Sequence, residues 1–188
     1  MSTVAIAQKN KIHPHKFTLW VAIGSILMMF AGLTSAYIVK RNQANWTSFE
    51  IPLMFWVSTA VIIASSLSIM AATRAFRQRS MGTYRKLMLL TMILGALFIA
   101  LQTIGFIQLW NAGLKLQTNV AYSFLYVIVG LHAAHVVGGV IALLVMSLKA
   151  FSNKTRVYSA VPIEVMGTYW HFVDVLWLYL LVFLLLIR

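Results

Sequence analysis

Long apolar stretches alternate with short polar connections along this chain: about Phe17 to Val39, Pro52 to Ala72, Leu87 to Leu109, Val120 to Leu148 and Ile163 to Ile187. Each is long enough to cross a hydrocarbon core of ~30 Å as an α-helix rising ~1.5 Å per residue. The pattern predicts an all-α fold, a polytopic membrane bundle of five transmembrane helices. Residues 1–16 read as a basic cytoplasmic tail and 17–188 as a single transmembrane domain. The longest connection, about fourteen residues, leaves no room for a soluble domain between spans.

Charge gives the bundle a direction. Eleven bases fall on one side: Lys9, Lys11 and Lys16 in the tail, Arg74, Arg77, Arg79, Arg85 and Lys86 in the second loop, and Lys149, Lys154 and Arg156 in the fourth. The other side holds Lys40, Arg41, Lys115 and Arg188. By the positive-inside rule the N-terminus is cytoplasmic and, with an odd number of spans, the C-terminus is outside. Trp46, Trp56, Trp110 and Tyr122 then fall near the outer interface, where aromatic anchors belong.

Composition narrows the chemistry. The chain is 61% hydrophobic, with a net charge of +12, three acids and no cysteine. The bases sit at span ends and no nucleic-acid motif accompanies them, so the charge reflects topology and no nucleic-acid partner is expected. Without cysteine the chain cannot supply an iron–sulfur cluster or the paired thiolates of a dinuclear copper centre. The basic N-terminal residues lack the apolar core and small-residue cleavage site of a signal peptide.

The fifth span carries what a bilayer normally excludes. Glu164, His171 and Asp174 recur at helical spacing and share one stripe, beside Trp170. A carboxylate near mid-membrane costs about 2.5–3.5 kcal/mol on insertion scales, so Asp174 calls for a partner. The fourth span offers His132 and His135, one turn apart, beside the small residues Gly130, Ala134 and Gly138, which let another helix approach. Counted from the cytoplasmic ends, Asp174 lies roughly 16 Å deep and His171 about 12 Å, against about 20 Å for His135 and 24 Å for His132. Depth therefore pairs Asp174 with His135, and the indole N–H of Trp170 is a further donor. These groups fit interhelical hydrogen bonding, contact with a lipid headgroup or partner subunit, proton transfer, or metal or haem ligation. A haem, however, needs axial ligands facing each other from two helices, which His132 and His135 do not provide. Gly32 with Ala36, and Ser65 with Ser66, read as close helix contacts; Met28, Met29 and Phe30 as lipid-facing or packing surface.

The blocks GLHAAHVVGG (130–139) and EVMGTYWHFVDVLWLYL (164–180), with FAGLTSAYIV (30–39) and LGALFIALQTIGF (94–106), resemble subunit III of the haem–copper respiratory oxidases, most closely the cytochrome c oxidase form. The likeness runs through all five spans and fits the five-helix variant of the family. It implies a subunit of a proton-pumping complex in the prokaryotic cytoplasmic membrane that performs no oxygen reduction itself. Haem and copper are then expected in partner subunits and no cofactor or metal in this chain, with no catalytic residue of its own. The expected partners are subunit I, in direct contact, subunit II, phospholipids held in a cleft, and cytochrome c as donor to the complex. Assembly, lipid binding and sustained turnover are the implied roles.

Glu164, Trp170, His171, Asp174, His132, His135, Gln102 and Gly95 stand where the family has its signature. Glu164, His171, Trp170, His132 and Arg74 are the candidates for lipid or subunit contact; His135, Asp174 and Gln102 for a structural polar network. Two acids of the usual pattern are absent, replaced by Ile26 and Gly105. Subunit III of a quinol oxidase shares the five-helix form, a b-type cytochrome anchor would use the same histidines as ligands, and a small transporter would need mid-depth Gly/Pro breaks that the spans lack.

Overall fold

The computed structural model describes residues 14–41, 52–115, 117, 119–151 and 160–187. Among these the chain forms five helices: α1 (Pro14–Arg41), α2 (Leu53–Arg77), α3 (Met81–Asn111), α4 (Val120–Phe151) and α5 (Val161–Ile187). All five are long and apolar enough to cross a membrane. Several extend past the apolar stretches that predict them. α1 begins at Pro14, inside the expected tail, and α3 begins at Met81, so that Arg85 and Lys86 ride on a helical turn. Trp46 and the bases at Lys9, Lys11, Lys154, Arg156 and Arg188 lie outside the described residues.

The short links stop the helices cleanly. After α2, Ser80 N–H bonds the Ala75 carbonyl and Arg79 N–H that of Phe76, with Arg79 at φ 58°. After α3, Leu114 N–H bonds Leu109 and Gly113 N–H bonds Trp110, with Gly113 at φ 83°. Both are Schellman endings, which need one left-handed residue; glycine takes that conformation freely, whereas arginine carries the strain of a Cβ.

α5 is the hub. It packs against α1, α2 and α4, while α3 closes the circuit between α2 and α4. α1 touches only α4 and α5, so α1 and α2 flank α5 without meeting. The core runs along α5 through Trp170, Val173, Trp177, Leu180 and Leu184, joined by Phe55, Ile62, Phe98, Val136 and Leu143.

Burial corrects several expectations. The Gly130, Ala134 and Gly138 stripe faces away from the bundle: a Cβ added at Gly130 or Gly138 would meet nothing within 4 Å, and the same is true of Gly32. The crowded glycines are Gly95, Gly105 and Gly139, each pressed by an aromatic ring. Trp56 and Trp110 are exposed at the non-basic end as anchors would be, but Tyr122 is buried.

Candidate functional site

Two tryptophans seven residues apart on α5 set the interior. Trp170, 1% exposed, drives its ring between α3 and α4, where an added Cβ would come within 2.7 Å of it from Gly95 and 2.9 Å from Gly139. Glycine is required at both positions because the ring already fills the space a methyl would take. Its Nε1–H donates to Ser65 Oγ on α2 (3.0 Å), and the Ser65 hydroxyl donates onward to the Thr91 carbonyl on α3 (3.3 Å). One turn pair higher, Trp177 Nε1–H donates to Thr59 Oγ1 on α2 (2.8 Å). The Trp177 ring stacks on His132 (5.2 Å between centroids) and meets Phe98 (5.4 Å) and Phe55 (5.8 Å) edge to face. Gln102 Nε2 donates to Ser58 Oγ (2.8 Å), tying α3 to α2 at the same level.

A row of hydroxyls on α2 therefore serves as the polar seam of the bundle. Ser58, Thr59, Ser65 and Ser66 meet Gln102, Trp177, Trp170 and His171 in turn. In a bilayer the indole N–H has no water to bond, so each tryptophan needs such an acceptor.

Trp170 and His132 are thus interior groups. Both were candidates for contact with lipid or a neighbouring subunit, yet His132 is 0% exposed and enclosed by Trp177, Phe98 and Phe30. The family resemblance puts both among those candidates, but Trp170 lies one position round from the stripe and points inward. The packed rings around His132 leave no space for a haem, and its two nitrogens have no hydrogen-bond partner among the described residues. Among the described residues no three His, Cys, Asp or Glu side chains converge to hold a metal ion.

Asp174 and His135 do not pair. His135 Nδ1 bonds the Leu131 carbonyl of its own helix (2.7 Å), and its backbone carbonyl accepts the Tyr169 hydroxyl (2.9 Å). Asp174 is 5% exposed and neither carboxyl oxygen has a formed hydrogen bond among the described residues. Trp170, its other expected donor, is committed to Ser65. Depth fixed the height of these groups but not the side of the helix they occupy: the polar stripe of α5 turns toward α2, not α4. There Ser66 Oγ bonds His171 Nδ1 (2.6 Å) and also lies beside Asp174.

The second site opens where α1 and α2 part. A cleft of about 480 Å³ at the basic end is floored by α5 and lined by Lys16 and Trp20 from α1, Arg74 and Arg77 from α2, and Glu164 and His171 from α5. Glu164 accepts from Lys16 Nζ (2.8 Å) and Arg77 (3.2 Å), strapping the two flanking helices across the hub. Among the described residues the Arg74 guanidinium hydrogen-bonds only Met70 Sδ (3.7 Å) on its own helix. Three of the sequence candidates, Glu164, His171 and Arg74, thus meet in this cleft. Lys16 and Arg77 enter the sequence reading only as charges that set topology, Ser66 only as a close helix contact, and Trp177 and Gly139 only within longer sequence blocks, although the steps of Trp170/Trp177 and Thr59/Ser65 on facing helices carried the signal for the seam.

The positions of the missing acids are filled by packing. An added Cβ at Gly105 would lie 2.6 Å from the Phe55 ring, and Ile26 packs against the core.

Comparison with known proteins agrees with this arrangement. Residues 43–187 match the family of cytochrome c oxidase subunit III. The chain is 30% identical to the probable cytochrome c oxidase subunit 3 of Nocardia farcinica, over 95% of this chain and 93% of that protein. It is likewise 30% identical to cytochrome c oxidase subunit 3 of Corynebacterium diphtheriae, over 94% and 95%, and 26% identical to that of Bacillus subtilis, over 94% and 86%. With five helices long and apolar enough to cross a membrane and family similarity over most of its length, the chain belongs to the cytochrome c oxidase subunit III family, a component of an oxidase complex.

Proposed function

We propose that this chain is the non-catalytic subunit III of a proton-pumping cytochrome c oxidase in the prokaryotic cytoplasmic membrane. Its basic end faces the cytoplasm, it packs directly against subunit I alongside subunit II, and it sustains turnover by holding a phospholipid at the complex. Haem and copper belong to the partner subunits, and cytochrome c delivers electrons to the complex.

The observation that carries this reading is the cleft between α1 and α2. Lys16, Arg74 and Arg77 outnumber Glu164 there, above apolar walls from Leu19, Met70 and Val165. A cationic mouth over an apolar groove at a span end suits an anionic headgroup and its acyl chain, each nearby base adding about 1 kcal/mol of attraction. Arg74, paired with no acid among the described residues, supplies a fork for phosphate oxygens.

Lipid analysis of the purified complex tests it. Arg74→Gln combined with Arg77→Gln lowers the anionic phospholipid retained and hastens loss of activity during turnover, with haem spectra unchanged. Undiminished lipid and undiminished endurance would count against the cleft, and altered haem spectra against a non-catalytic role.

A further inference from the structure

The strongest unexplained group in the molecule is the carboxyl of Asp174. It is buried, it has no formed hydrogen bond, and it is the only acid among the described residues besides Glu164. It does not stand alone in an apolar wall. Ser66 on α2 lies beside it and bonds His171 Nδ1 at 2.6 Å. His171, one turn nearer the basic end, lines the cleft that holds Lys16, Arg77 and Glu164. Cleft, imidazole and hydroxyl therefore form a polar line running inward, with the carboxyl beside its inner end.

Beyond Asp174 the line stops. The next turns of α5 present Leu176, Trp177, Leu180 and Leu181 to the core, with the Trp177 ring wedged among Phe55, Phe98 and His132. The next polar groups along the helix are already engaged, the Trp177 indole N–H with Thr59 and the Tyr179 hydroxyl with Thr34. The ionisable groups of the helices packed on α5 turn elsewhere: Lys16 and Arg77 to Glu164, His135 to the Leu131 carbonyl, and His132 to the aromatic stack.

We propose that Asp174 is a proton-binding site reached from the cleft at the basic end through His171 and Ser66, and closed toward the opposite end. The hydroxyl suits the task because it donates once and accepts twice, so it can face either neighbour. With Nδ1–H donating to Ser66 Oγ and the hydroxyl turned to the carboxylate, Ser66 passes its proton to Asp174 and takes the one from Nδ1. The Nε2 of His171 takes a proton from cleft water beforehand, so that Nδ1 gives up its own from the imidazolium and the neutral ring is left. One proton has moved from the cleft to the carboxylate, no electron has moved, and the return uses the same atoms in reverse. The route needs neither a bound lipid nor any particular neighbouring subunit, so it stands or falls separately from the lipid role of the cleft.

Infrared difference spectroscopy on the assembled complex in proteoliposomes reads the site directly, through the carbonyl stretch of a protonated carboxylic acid after an acid step applied to one side. A step at the basic end raises a band that Asp174→Asn abolishes and Asp174→Glu shifts, and a step at the opposite end raises it more slowly. Ser66→Ala and His171→Phe each slow its rise about tenfold, while Ser66→Thr, which keeps the hydroxyl, does not. Absence of any Asp174-dependent band overturns the site. A band that rises equally fast in Ser66→Ala, or equally fast from both sides, overturns the route. If Asp174→Asn fails to assemble, the contrast between Ser66→Ala and Ser66→Thr decides alone.

Discussion

α5 and α1 are both membrane-spanning helices of similar length, yet the most apolar stretch of α5 is 50% buried within the bundle and that of α1 only 11%. The difference is in how each is held. α5 is keyed into α2, α3 and α4 by two indole rings, two glycine recesses and hydroxyl acceptors. α1 is attached through Phe30 and Tyr37, a Thr34–Tyr179 contact and an ion pair at its basic end. Lipid tails are as apolar as leucine, so burial alone gives little reason for helices to associate, and shape fit with hydrogen bonding decides which helix is fixed. α5 has both in quantity; α1 presents an apolar face at Trp20, Val21, Leu27 and Met28 to whatever surrounds it.

The largest expected effect is at the key itself. Trp170→Ala leaves a ring-sized hollow and an unfilled acceptor on Ser65, costing about 3–5 kcal/mol and read as loss of the subunit from the purified complex on mild heating. Gly95→Ala forces a methyl into that same ring and costs about 1–3 kcal/mol. Trp170→Phe, with its smaller ring, restores much of the loss, a rescue that contact through any other residue would not give. Glu164→Gln removes both straps at the mouth. These ion pairs are largely exposed, so the effect on overall stability is small, about 0–1 kcal/mol, but amide exchange at the start of α1 rises and becomes insensitive to salt. An effect of comparable size is a gain: Arg79→Gly relieves the left-handed residue ending α2 and raises stability by about 0.5–1 kcal/mol, seen as a modest upward shift in the melting temperature. Equal sensitivity of α1 and α5 to all four changes would erase the contrast between them.

The five helices were legible because length and apolarity are properties of single segments, and a bilayer sets the length directly. The stripe of Glu164, His171 and Asp174 was legible for a similar reason, since spacing on one helix follows from its period. What faces that stripe was not. His135 matched Asp174 in height, yet the hub turns the stripe to α2, a matter of rotation that no count of residues gives. The glycines show the same limit. Gly130, Ala134 and Gly138 make a better small-residue pattern than Gly95 and Gly139, but the recess belongs to whichever glycine faces a tryptophan. Complementary steps on two helices, such as Trp170/Trp177 against Ser65/Thr59, hold more of that information than a stripe on either helix.

The recess around Trp170 also bears on how the protein is made. Ser65, Gly95 and Gly139 all precede Trp170 in the sequence, so the ribosome delivers the lock before the key. The α2–α3 hairpin, joined by a tight turn, can close as soon as it enters the bilayer, with Ser65 already bonded to the Thr91 carbonyl. Until α5 arrives, the recess has no ring to fill it, and α1 lacks the helix that carries its ion pair. Insertion of α5 is then the step that converts a loose set of spans into one body, and a nascent chain arrested before it would offer membrane quality control an unfinished interior.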